Sequence, residues 1–87
     1  MTQTTGEVRV INRQSARVGV YVSEEEGHTV LELGPANDVD IGDVMGWDSA
    51  TALGTQIYRN LTKGWADEVY VAKHGVAAAN LEVQLGS

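Results

Sequence analysis

Valine, isoleucine and leucine recur at every second position in short segments of this chain, with polar or turn-forming residues between the segments. Val8 and Val10, then Val18, Val20 and Val22, Leu31 and Leu33, Val39 and Ile41, Val69 and Val71, and Leu81, Val83 and Leu85 each alternate with polar or small neighbours. Successive side chains of a strand point to opposite faces, so this rhythm predicts strands with one buried and one wet side. The chain reads as mostly β.

Between residues 6 and 22 the even positions Val8, Val10, Ala16, Val18, Val20 and Val22 share one predicted face, and Arg9, Arg13, Arg17 and Tyr21 share the other. A straight strand of that length would reach roughly 50 Å at ~3.3 Å per residue, too long for a small domain. Two strands joined by a turn at 12–15, or one sharply bent strand, are the alternatives. Residues 23–28, with Glu24, Glu25, Glu26 and Gly27, read as a loop. A strand follows at 29–33, and Pro35 marks the clearest break, since proline cannot donate to a ladder. Further strands are expected around Val39 and Ile41, at 44–47, at 55–61, at 68–73 and, closing the domain, at 81–85. A single helical turn through 50–53, capped by Asp48 or Ser49, competes equally with a loop there, and another helical turn fits the alanine run at 76–80.

So many short strands would leave aggregation-prone edges in a flat sheet, and closure removes them. The expected fold is all-β with one or two short helical turns: a small closed or partly open β-barrel of about five to seven strands, OB-like or SH3-like. The 87 residues are too few for two cores, so residues 6–87 form one domain behind a polar, disordered leader at 1–5.

Composition narrows the function classes. There is no cysteine, hence no disulfide and no thiolate metal site, which fits a cytoplasmic protein. No signal peptide and no membrane-spanning run is expected from the hydropathy pattern. Twelve acids against six bases give a net charge of −6, which repels nucleic acid at long range.

Candidate chemistry is sparse. Asp38, Asp40 and Asp43 with Gly42 suggest a calcium loop, but Gly and the closing Glu are out of place for an EF-hand, so turn capping competes with metal binding. His28 and His74 lie far apart, each beside a glycine, and read as exposed loop residues. Ser15, Ser23 and Ser49 lack a nucleophile signature, and Asn60-Leu61-Thr62 matches the glycosylation triplet by chance. No enzyme and no cofactor is expected. Arg9, Arg13 and Arg17 with Tyr21 form the candidate binding row, able to track a single-stranded nucleic acid or to act as a solvated face. Trp47 and Trp65 must supply aromatic bulk to the core or anchor an interface, as the chain has no Phe. The leading expectation is a non-catalytic module that binds another protein or itself. A weak nucleic-acid binder through the arginine row, or a metal binder through the three aspartates, are the alternatives.

Overall fold

The computed structural model describes residues 3–23, 26–34, 37–48 and 53–85. The acidic loop residues Glu24 and Glu25, the Pro35 break and residues 50–52 of the expected helical turn lie outside them.

Six antiparallel strands close into a barrel in the order β1-β2-β3-β6-β5-β4. The strands are β1 (Thr4–Asn12), β2 (Arg17–Val22), β3 (Gly27–Glu32), β4 (Val44–Trp47), β5 (Gly54–Asn60) and β6 (Trp65–Val76). The barrel and its strand number agree with the alternation in the sequence. No helix among the described residues is long and apolar enough to cross a membrane.

The two longest strands each serve two neighbours. β1 pairs with β4 along Thr4–Glu7 and with β2 along Glu7–Asn12. β6 pairs with β5 along Trp65–Val71 and with β3 along Tyr70–Val76. Inward-facing Val8, Val18, Val20, Val22, Leu31, Met45, Trp47, Tyr58, Val69 and Val71 fill the interior.

Several expectations are corrected. The leader does not extend to residue 5: Thr4 and Thr5 pair with Trp47 and Gly46, and Thr4 is buried, because β4 supplies a ladder even to a polar strand start. The even-position face of β1 breaks at a bulge between Val8 and Val10. An extra residue shifts the alternation, so Val10 turns outward while Ile11 packs against the core. Ala16, expected inside, lies exposed in the β1–β2 turn with φ of 58°. No strand forms at Val39 and Ile41, since Asp43 bonds the Asp40 backbone amide and ties that segment into a turn. His28 and His74 are strand residues; His28 is buried with Nδ1 bonded to the Val76 carbonyl, and Thr29 Oγ1 meets His74 Nδ1 at 2.9 Å.

The expected closing strand at 81–85 is helical. A 3-10 turn (Ala78–Asn80) runs into one α-turn, α1 (Leu81–Gln84), and the barrel is closed by β1 against β4 instead. Leu81 and Leu85 are buried with Val30 and Val76 on the outside of the wall, while Val83 is 76% exposed. Spacing of four residues fits both a helix and a strand, and only the residue between decides. Gly19 makes room for this packing, because a Cβ there would meet the Leu81 methyl groups at 3.0 Å.

Candidate binding surfaces

A hydrogen-bond network ties the turn at residues 40–43 to the end of β5 and the β5–β6 turn. Burial raises the Asp43 pKa, but hydrogen bonds from Asn60 Nδ2 (2.9 Å) and the Asp40 amide (3.0 Å), with Lys63 Nζ at 3.5 Å, outweigh it and hold the carboxyl below its usual value. Lys63 also bonds Asp40 at 2.7 Å, which holds its ammonium above the ordinary lysine value. The three aspartates flagged by spacing therefore do not converge on a cation position. Asp40 and Asp43 share Lys63, and among the described residues no three His, Asp or Glu side chains form a metal-ligand group.

Asp38 takes a different part. Its backbone carbonyl accepts from Trp65 Nε1 at 2.8 Å and from Asn60 Nδ2 at 3.4 Å, so the main chain fixes its place. Trp65 is thus a half-buried rim residue packed against the core. Beside it lies a hollow of about 390 Å³, floored by Ile11, Val18, Leu33 and Val39, with Arg13 and Asp38 among its polar lining. Its size falls in the range of small-ligand sites. Hydropathy alternation could not reveal this hollow, because Ile11 enters it only through the β1 bulge.

The arginine row is not assembled as one surface. Arg9 bonds Glu7 and lies 4.9 Å from the Tyr21 ring centre, and Tyr21 meets His28 edge-on at 5.3 Å. Arg17 donates to the Gln84 carbonyl and to Glu32, so it fastens α1 to the barrel. Arg13 stands in the β1–β2 turn with Asp40 at 4.0 Å. Each guanidinium faces a carboxylate, and the three lie in separate settings.

Trp47 is core, stacked on Tyr58 at 4.4 Å between ring centres and 13° between planes. Its buried Nε1 has no hydrogen-bond partner among the described residues. Two apolar side chains missed by the sequence reading stand outside instead. Ile57 on β5 and Tyr70 on β6 are 53% and 51% exposed. Thr55 pairs with Tyr70 and Ile57 with Glu68, so Ile57 and Tyr70 are diagonal neighbours on one outer face. Their positions obey the same alternation as the core, which marks a face but not which side of it is wet.

Compared with known families, curated proteins and solved structures, the chain matches none of them significantly.

Proposed function

We propose that this chain is a non-catalytic, cytoplasmic protein-interaction domain that docks a partner protein on the outer face of β5 and β6. The observation that carries the reading is the pair of large side chains Ile57 and Tyr70, half exposed and diagonal to each other on one wall of the barrel. Exposed aromatic and aliphatic side chains brought together on a rigid face are the usual anchors of protein interfaces. Closure supports a face over an edge, since every barrel strand already pairs on both sides and strand addition needs a free one. Glu68, opposite Ile57 and in no ion pair among the described residues, favours a partner whose apolar patch is edged by Lys or Arg.

A photo-crosslinking amino acid placed at Tyr70, with another variant carrying it at Gln14 in the exposed β1–β2 turn, tests the reading in cells. Adducts to one protein at position 70 and none at 14 are the expected result. An adduct of twice the chain's mass, with a dimer by light scattering at micromolar concentration, would make the partner a second copy. No adduct at 70, or equal adducts at both positions, rejects the docking face.

A further inference from the structure

We infer that the hollow at the barrel mouth is a binding site for a small organic cation: an apolar body of roughly ring size carrying one ammonium group. It is separate from the docking face on β5 and β6, and neither depends on the other.

The floor argues for the apolar body. Val18 and Val39 are buried, Ile11 and Leu33 are half-buried against the core, and these four side chains line one hollow of about 390 Å³. Displacing water from such a floor favours an apolar ligand.

The rim argues for the charge. Among the described residues, the ionisable ones lining the hollow are Arg13 and Asp38, and they are not equivalent. Arg13 has Asp40 at 4.0 Å, a carboxylate it shares with Lys63. The Asp38 carboxylate makes no hydrogen bond or ion pair among the described residues, and the Lys63 charge reaches it only through space. Its backbone is nevertheless pinned by Trp65 and Asn60, and the residue is exposed where it lines the hollow. Nearby Asp67 accepts from the Asn37 side-chain amide and adds negative charge, with no ion pair among the described residues. An exposed carboxylate with its oxygens uncommitted, carried on a pinned backbone beside an apolar floor, is a ready partner for an ammonium.

Three probes of one shape separate the contributions: 2-phenylethylammonium, 2-phenylethanol and 3-phenylpropionate, each titrated to about 20 mM against the full chain with backbone amide shifts as readout. The ammonium should move the amides of Ile11, Val18, Leu33 and Val39 and bind about two- to fivefold tighter than the alcohol, the range of one exposed ion pair. The carboxylate should bind weakest, and added salt should shrink the differences. Asp38→Asn should erase the preference for ammonium over alcohol while leaving the alcohol's affinity unchanged. That variant keeps the fold, because the structural bonds at this position use the main-chain carbonyl. Arg13→Ala should strengthen ammonium binding. No shift at the four floor residues, strongest binding by the carboxylate, or an ammonium affinity indifferent to Asp38→Asn would each overturn the inference. None of these results bears on the Tyr70 crosslinks.

Discussion

Burial alone would push the carboxyl of Asp43 toward its neutral form, yet the hydrogen bonds it accepts and the Lys63 ammonium favour the charged one. The folded pKa lies below the ordinary 3.8, so this group's contribution is complete above that value and is lost as pH falls through the folded pKa. Lys63 works in the opposite direction. Its folded pKa lies above 10.5, so its contribution is intact below that value and is lost as pH rises through the folded one. Asp43→Asn keeps the shape but removes the charge, and should cost about 1.5–3 kcal/mol at neutral pH, the range for a hydrogen bond to a charged group. The variant's melting temperature should also fall less than the parent's between pH 5 and pH 2. Parallel losses in the two proteins would show that Asp43 does not carry the acid sensitivity.

At the scale of elements, the C-terminal segment separates two geometries that its sequence leaves open. Leu81→Ala removes a side chain packed with Val30, Val76 and Leu85, and should destabilise by about 2–5 kcal/mol, as buried leucine truncations do. Val83→Asp should be near neutral, because that side chain points to solvent. Equal damage from both in urea unfolding would restore a strand with 81, 83 and 85 on one face. The strands themselves were legible wherever alternation met a buried face, as at Val18, Val20 and Val22. Legibility failed where local geometry intervened. The bulge after Val8 turned Val10 out, the Asp40–Asp43 turn cancelled a strand at Val39, and the spacing of Leu81 and Leu85 suited helix and strand alike. The candidate sites fared differently again. The absence of Phe left Trp47 and Trp65 between core and interface, and the structure encloses Trp47 while Trp65 is half-buried against the core; the grouping of Arg13 with Asp38 at a hollow depends on contacts between segments that no local pattern encodes.

For the whole molecule, closure is achieved unevenly. β5 pairs with β6 along its full length, from Gly54 to Asn60, whereas β4 meets β5 only at Met45–Asn60 and Gly46–Arg59. Beyond the ladder that seam is held by the Leu61 amide on the Val44 carbonyl, the Val44 amide on Thr62 Oγ1, and the Trp47–Tyr58 stack inside the barrel. A short ladder has few bonds to break at once, so local opening there needs less free energy than unfolding the barrel. Native-state hydrogen exchange should therefore find the Leu61 amide at least about tenfold less protected than amides bonded between β5 and β6, a difference of roughly 1.4 kcal/mol. Adding denaturant should leave the seam's exchange nearly unchanged while that of the β5–β6 ladder accelerates, since a local opening exposes little new surface. Equal protection and equal denaturant sensitivity on the two sides of β5 would mean that the barrel opens only as a unit, with the ring stack making up for the missing ladder.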